Sequence, residues 1–356
     1  MKKTVLILCG GKSEEHEVSL VSARCILEAI DRDKFDPILV GISRKGTWYL
    51  EDESNAFLGG PKADTIKLNQ SAPEVSVIPY PNASGQGQLR TEKEILNFDV
   101  VFPIIHGTNG EDGTLQGFFE ILGAPYVGSN CGASWNCMDK QITKEIAEIH
   151  GRQSAAYVPI DNLAEIDQPA LKKLKYPLFV KPNRTGSSVG VTRVTEASQL
   201  RNAVENALKL DRRVLVEEGI SGREIECAVL GLNRKAKSSL PGEIIPSKEI
   251  GFYSYEAKYI LEDGAKLEIP AKLSEAQVKS IQEFAINCFD LMGCDGLARV
   301  DLFLDEANDK IYLNEINTLP GFTPISMYPK LWEISGVSYK DLITKLIQLA
   351  FERQSR

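Results

Sequence analysis

The sequence has no C-x-x-C pair, no block of Lys and Arg, no Walker-type G-x-x-x-x-G-K-[ST] loop, and no apolar run long enough to cross a membrane. Each absence argues against a class of function. Seven scattered cysteines without paired spacing are expected as free, mostly buried thiols in a reducing compartment, not as a sulfur-bound metal site. Without a basic patch, and with a net charge of −8, the chain is not expected to bind nucleic acid. Its first apolar run, residues 4–9, is too short for a signal peptide and meets Gly10-Gly11 directly. A buried strand, no membrane partner and a cytoplasmic location are the expectations. Of the 3 histidines, His16 and His150 fall in helical surroundings and carry little weight.

What is present is ordinary globular material in quantity. The 356 residues, 43% hydrophobic and 25% charged, suit two or three domains with more than one core. Residues 4–9 and 37–42 read as strands, as do 99–105, which end at His106-Gly107. Between the first two, Val18, Val21, Cys25 and Ile26 mark one helical face. Strands alternating with helices imply a doubly wound α/β sheet, with ligand sites at the strand C-termini: 10–17 and 106–113. Residues 83–88, rich in Ser, Gly and Gln, read as a loop of little structural content.

From about residue 134 the pattern becomes α+β. Residues 138–150 are helical and carry Lys140 and Lys144. A short strand, 177–181, leads into a Gly/Ser loop at 183–190. Extended structure at 191–194, a helix at 197–209 and a strand at 214–216 complete a compact unit. Residues 224–231 form a further strand, and 249–267 suit a long ordered loop of the kind that acts as a lid. Ser274 opens a helix with Gln277 completing a capping box. Val278, Ile281, Ala285, Cys288 and Met292 form its stripe, and Gly293 ends it. Residues 298–304 and 311–317 form a hairpin. Alternation puts Arg299, Asp301 and Phe303 on one face, and Ile311, Leu313, Glu315 and Asn317 on one face of the partner strand. A turn centred on Asn308 sets Asp301 opposite Glu315, a like-charge pair that requires a cation or another bound charge.

That hairpin is the strongest chemical signal. Asp301, Glu315 and Asn317 offer oxygen donors only, which suits Mg2+ bridging to phosphates. A solvated hairpin with incidental charges is the plain alternative, and the apolar Leu302, Leu304 and Ile316 weigh against it. Backbone N–H groups of residues 183–190 suit phosphate oxygens, with Lys181 at the strand end, although Gly/Ser loops are more often simple turns. Glu217-Glu218-Gly219-Ile220 at a strand end suits an adenine edge and Glu224 a ribose. By itself that stretch reads as an acidic loop. His106 gains functional weight from its place at a strand terminus.

Taken together, the segments GGKSEEHEVSL (10–20), HGTNGEDGTLQG (106–117), Met138-Asp139-Lys140, KPNRTGSSVG (181–190), EAKY (256–259), GLARVD (296–301) and NEINTLPGFTPISMYP (314–329) closely resemble the D-alanine–D-alanine ligases of the ATP-grasp superfamily. The resemblance implies an α/β chain. An N-terminal doubly wound, Rossmann-like substrate domain (1–131) would precede a two-part ATP-grasp fold, with a small central domain (132–216) and a C-terminal domain carrying the metal site and lid (217–356). It implies ATP-dependent ligation of two D-alanines through an acyl phosphate, for peptidoglycan precursors. It also implies ATP as co-substrate, two Mg2+ ions with Mn2+ as the alternative, and a homodimer formed through the N-terminal domain.

By the same resemblance, Glu15 binds the first substrate's ammonium within a group that includes Ser187 and Tyr259, and His106 lies near that substrate. Lys140, Lys181 and Ser188 contact ATP phosphates. Glu217, Glu218, Ile220 and Tyr253 belong to the nucleotide site, with Glu217 on the adenine amine and Glu224 on the ribose. Asp301, Glu315 and Asn317 hold the metals. Arg299 and the N–H of Gly321 stabilise the tetrahedral intermediate. Lys258 and Ser326 hold the second carboxylate, beside Met327. The segment Asn183-Arg184-Thr185 departs from the family pattern and leaves the loop's closed geometry open. Rival readings are a ligase using D-lactate or D-serine as acceptor, another ATP-grasp carboxylate–amine ligase, and a non-catalytic nucleotide-binding protein. The Lys258-Tyr259 pair favours D-alanine as acceptor.

Overall fold

The structure is a computed structural model and describes residues 2–60, 62, 64–186, 188–246 and 265–355. Of the expected lid at 249–267, residues 249–264, with Tyr253, Lys258 and Tyr259, lie outside the described residues, as does Ser187. Residues 265–267 are not loop but part of the strand Ala265–Glu268, where pairing with Gly242–Pro246 fixes them.

In the N-terminal sheet, Lys3–Gly10 runs parallel to Phe35–Ile42 on one side and Val100–Pro103 on the other, and Trp48–Glu51 closes one edge antiparallel. All of residues 5–9 are buried, as an inner parallel strand covered on both faces requires. The helix His16–Ala29 follows, but its buried face is not the one that apolar spacing predicts. Ser19, Leu20, Ser22, Ala23, Ile26 and Leu27 face inward, whereas Val18, Val21 and Cys25 are half-buried. The serines explain the rotation. Ser19 donates its hydroxyl to the carbonyl of Ile104 and accepts from the N–H of Gly10. Apolar counting does not register a hydroxyl that seals strand ends.

The expected loop at 83–88 is partly strand. Gly87–Arg90 is the central strand of a three-stranded antiparallel sheet, with Ser76–Ile78 and Ile95–Phe98 beside it. Gly87 lies against the ring of Phe98, whose carbons stand 2.2 Å from where a Cβ would be. This glycine marks a close approach, not a turn.

The predicted helix at 138–150 is two helices, Cys131–Met138 and Lys140–Ile149. Asp139 breaks them and caps the second by accepting from the N–H of Ile142 at 3.1 Å. Next comes an antiparallel sheet ordered Tyr157–Ile160, Val214–Glu218, Leu178–Pro182, Thr192–Val194. The helix Ala197–Leu208 covers it through Leu200, Ala203, Val204 and Ala207.

The largest sheet runs Gln153–Ser154, Lys310–Asn317, Gly296–Asp305, Arg223–Gly231, Gly242–Pro246, Ala265–Glu268, and Lys237–Ser238 also pairs with Arg223–Gly231. The helix Glu275–Leu291 packs on one face, with the Ser274–Gln277 capping box in place and Gly293 in the left-handed region at φ 76°. Ala133, Cys137 and Ala147 of the two earlier helices join the same core. On the other face, Ala228, Leu230 and Leu297 share a core with Val5, Ile7 and Phe102 of the N-terminal sheet and Leu342, Ile343, Leu346 and Ile347 of the last helix, Tyr339–Gln354. Chain start and chain end are therefore packed together against the largest sheet.

Glu51 is one of several buried groups with polar atoms left unpartnered among the described residues. Both carboxyl oxygens of Glu51 lack a hydrogen-bond partner among the described residues, and burial pushes the group from 4.5 to about 8. A carboxyl raised on folding favours the proton-bound native state, so its stabilising linkage is lost as pH rises from 4.5 through 8. Thermal melts of Glu51→Gln should show a higher melting temperature than the parent at pH 8, with the gain disappearing toward pH 4.5. A constant difference across that range would refute the assignment.

Candidate active site

The hairpin delivers the predicted pair, by a route that alternation alone does not give. Asp301 lies opposite Glu315, but the next pair is Leu302 with Leu313, so the strands slip at Asn314. This bulge corrects the expectation that Ile311, Leu313, Glu315 and Asn317 share a face. Leu313 and Ile316 belong to the apolar core, together with Val300, Leu302 and Leu304, and Ile311 packs against it. Glu315 and Asn317 stay with Arg299 and Asp301 on the opposite face. The inserted residue re-phases the strand.

The register extends the acidic row. Glu226, on the neighbouring strand, pairs with Asp301, so Glu226, Asp301 and Glu315 sit side by side across three strands. Arg299 spans two of them. Its Nε and one terminal nitrogen donate to the two oxygens of Asp301, each at 2.7 Å, and its Nε lies 3.0 Å from Glu226. Asn317 donates its amide to Asp301 at 2.9 Å. Burial opposes the charge on Arg299, but Asp301 and Glu226 outweigh it and hold the guanidinium protonated. Among the described residues no three His, Cys, Asp or Glu side chains form a metal-holding group by themselves. A cation here would draw on Asp301, Glu315 and Asn317 together with oxygens from outside the protein. That all-oxygen donor set fits a hard divalent ion.

The bulged Asn314 also links this row to a second cluster. Lys181 Nζ lies 3.4 Å from the Asn314 side chain and 2.8 Å from Glu217. Lys144 approaches the other oxygen of Glu217 at 3.3 Å. Burial would raise the Glu217 pKa, yet the two lysines overcome it and hold the carboxylate at about 2. Lys140 donates to the carbonyl of Thr185 at 2.8 Å, and Asn183 binds the N–H of Gln141 at 3.0 Å, so the Gly/Ser loop is fastened to the start of the Lys140–Ile149 helix. Ser188 in that loop has φ 58°, and Gly190 has φ 75°.

The N-terminal domain supplies the third side. Glu15 stands at the start of the His16–Ala29 helix, and its Oε2 lies 2.9 Å from the Cβ position of Gly107 and 3.3 Å from that of Gly186. One carboxylate therefore touches the turn after His106 and the Gly/Ser loop. A side chain at Gly107, already at φ 74°, would fill that space. His106 is buried. Its Nδ1 meets the carbonyl of Leu319 at 3.0 Å, its Nε2 meets Ser22 at 3.1 Å, and Glu111 lies 3.6 Å away. Burial opposes the imidazolium, but Glu111 outweighs it, so the pKa of His106 is raised. Burial, with Glu15 nearby, lifts Glu111 to about 7.

The remaining expected residues are placed as follows. Ser326 receives the N–H of Thr323 at 3.1 Å, and Gly321 lies against it, with Ser326 Oγ 3.0 Å from the glycine's Cβ position. Met327, next to Ser326 in sequence, is buried in the core with Tyr328 and Leu331. Glu218 accepts from the N–H of Lys175 at 2.9 Å, and Ile220 follows it in the connecting turn. Glu224 is two residues from Glu226 on the same strand face. Sequence reasoning missed Glu226, Asn314, Glu111 and Ser22, and gave Lys144 no role. Alternation from Glu224 was enough to find Glu226; a bulge and a buried lysine leave no local signal. A separate groove lined by Arg24, Glu28, Arg32 and Glu53, at the far end of the first helix, contains none of these groups.

Removing one member of a buried charged set leaves the others uncompensated. Arg299→Met should cost about 3–5 kcal/mol in urea denaturation, because Asp301 and Glu226 lose their shared cation. A loss below ~1 kcal/mol would show that the carboxylates are otherwise neutralised.

Residues 4–129 match the family described as D-ala D-ala ligase N-terminus, and residues 156–348 the family described as D-ala D-ala ligase C-terminus. The D-alanine–D-alanine ligase of Oceanobacillus iheyensis is 49% identical over an alignment covering 100% of this chain and 97% of that protein. Among solved structures, the D-alanine–D-alanine ligase from Coxiella burnetii superposes with a TM-score of 0.83 at 35% identity, covering 99% of this chain and 95% of that one. The VanG D-Ala:D-Ser ligase from Enterococcus faecalis gives 0.83 at 36% identity, covering 98% and 100%.

Proposed function

The chain belongs to the D-alanine–D-alanine ligase family, and on that premise we propose how its own residues carry out the reaction. The reaction is ATP-dependent ligation of two D-alanines. A carboxylate oxygen of the first attacks the γ-phosphorus of ATP, the bond to the β-phosphate breaks, and ADP leaves. The amine of the second attacks the acyl phosphate, the carbon–oxygen bond to phosphate breaks, and phosphate leaves. Both steps concentrate negative charge on oxygen, so fixed cations and N–H donors are the catalytic requirement.

The observation that carries the residue assignment is the convergence of Asp301, Glu315 and Asn317 on one sheet face, joined through Asn314 to Lys181 and Glu217. Asp301, Glu315 and Asn317 would hold Mg2+, or Mn2+ in its place, which neutralises the terminal phosphates. Lys140, Lys181 and Ser188 bind phosphate oxygens. Glu217 accepts from the adenine amine, the backbone near Glu218 and Ile220 meets the adenine edge, and Glu224 takes the ribose. Glu15, between two glycines, binds the first ammonium, and His106 borders that substrate. Arg299 and the N–H of Gly321 stabilise the tetrahedral intermediate. Ser326 holds the second carboxylate, and Met327 backs its pocket. Ser187, Tyr253, Lys258 and Tyr259 complete the assignment from the resemblance alone. Units 1–131, 132–216 and 217–356 serve as substrate, small ATP-grasp and metal-bearing domains, in a cytoplasmic homodimer that makes peptidoglycan precursors. D-alanine is the acceptor; one structural relative's title names a D-Ala:D-Ser ligase, so D-serine and D-lactate are the comparison acceptors.

Phosphate release with ATP, Mg2+ and D-alanine, with L-alanine as control and product identified by mass, tests the function. Release without D-alanyl-D-alanine would refute it. Glu315→Gln should lower kcat by ~10^3-fold and raise the Mg2+ needed for half-activity, in the range expected when electrostatic stabilisation is lost. Glu15→Gln should raise KM for the first D-alanine far more than KM for ATP; equal effects would remove that role.

A further inference from the structure

Lys144 is 1% exposed, although a buried ammonium is costly unless it is paired. It projects from the Lys140–Ile149 helix, with its Nζ 3.3 Å from Glu217 and 5.6 Å from the centroid of the Tyr157 ring. Glu217 is itself 3% exposed, and its other oxygen meets Lys181. The two lysines differ in access. Lys181 ends the Leu178–Pro182 strand next to the Gly/Ser loop and is partly exposed, whereas Lys144 is sealed behind Glu217.

We propose that Lys144 is the positioning residue that keeps Glu217 anionic and aimed, so that the site takes adenine and rejects guanine. The proposal rests on the reading of Glu217 as the group that meets the adenine amine. An ionised carboxylate only accepts hydrogen bonds. Adenine presents an amino donor at its six-position, and guanine presents a carbonyl acceptor there. A carboxyl that could take a proton would donate to guanine as well, and the discrimination would fade. When nucleotide phosphates draw Lys181 toward themselves, Glu217 loses that counter-charge. Lys144 cannot follow, and it continues to hold the carboxylate from behind. In agreement, both lysines offset the burial of Glu217, with the charge of Lys144 the largest single contribution, while burial depresses the pKa of Lys144 itself.

The test measures kcat/KM for ATP and GTP, with Mg2+ and D-alanine, in the full-length parent and in Lys144→Met, Lys144→Arg, Glu217→Gln and the Lys144→Met/Glu217→Gln double variant. Glu217→Gln should lower the ATP-over-GTP preference by at least ~10-fold, the scale of a hydrogen bond to a charged group. Lys144→Met should lower it comparably with KM for D-alanine unchanged, and Lys144→Arg should restore it. A merely structural lysine would lower the melting temperature and leave the preference alone. If Glu217→Gln keeps the parent preference, the adenine reading falls and the proposal with it. If Glu217→Gln loses preference but Lys144→Met keeps it, Glu217 stands as adenine reader and the Lys144 proposal is overturned. If Lys144→Met does not fold, the double variant decides. Preference equal to that of Glu217→Gln supports action through Glu217, and a further fall overturns it.

Discussion

Charge held out of water is the constraint on which this structure depends. Two sets of ionised side chains at the site are held largely out of water: Glu217 between Lys144 and the partly exposed Lys181, and Arg299 between Asp301 and Glu226. Desolvation makes each set costly, and each survives because every charge meets an opposite one at close range. The surrounding sheets, with the helices packed on them, act as the cover that keeps water away. A site made this way is rigid and polar before any ligand arrives, which is what transfer of a highly charged phosphoryl group demands.

The two sets are connected by one irregularity. The bulge at Asn314 keeps Glu315 and Asn317 beside Asp301, returns Leu313 to the core and places the Asn314 amide near Lys181. A regular hairpin would have to choose between an intact core and a continuous acidic row. The extra residue gives both, because local disruption of pairing is cheaper than exposing a leucine or burying an unpartnered carboxylate.

The substrate side of the site exists only when distant segments meet. Glu15 reaches the turn after His106 and the Gly/Ser loop, and His106 reaches Leu319 across 213 positions of sequence. The last helix packs against the first helix and the strand Val100–Pro103 on one side and the strands Gly296–Asp305 and Arg223–Gly231 on the other, fixing the N-terminal sheet on the largest one. Arg353 reinforces this by donating to the carbonyls of Gly128 and Tyr126 and covering the Tyr126 ring at 3.9 Å. The residues expected to bind two substrates and a nucleotide are therefore positioned by contacts of high sequence separation, each secured by a buried core.

The sequence alone determined the alternation of strand and helix at the N-terminus, the capped helix after Ser274, the Asp301–Glu315 pairing and the motifs that mark the family. These are local periodicities or fixed spacings, and backbone geometry converts them directly into structure. Tertiary structure decided the rest. The first helix turned its serines inward because hydroxyls found strand-end partners. Residues 83–88 became partly strand because Phe98 packed on Gly87. Leu313 parted from Glu315 because a bulge re-phased the strand, and Lys144 acquired a partner because a helix and a strand 73 positions apart by number came together around one carboxylate. Burial and pairing of charge are properties of the assembled core, and no window of sequence contains them.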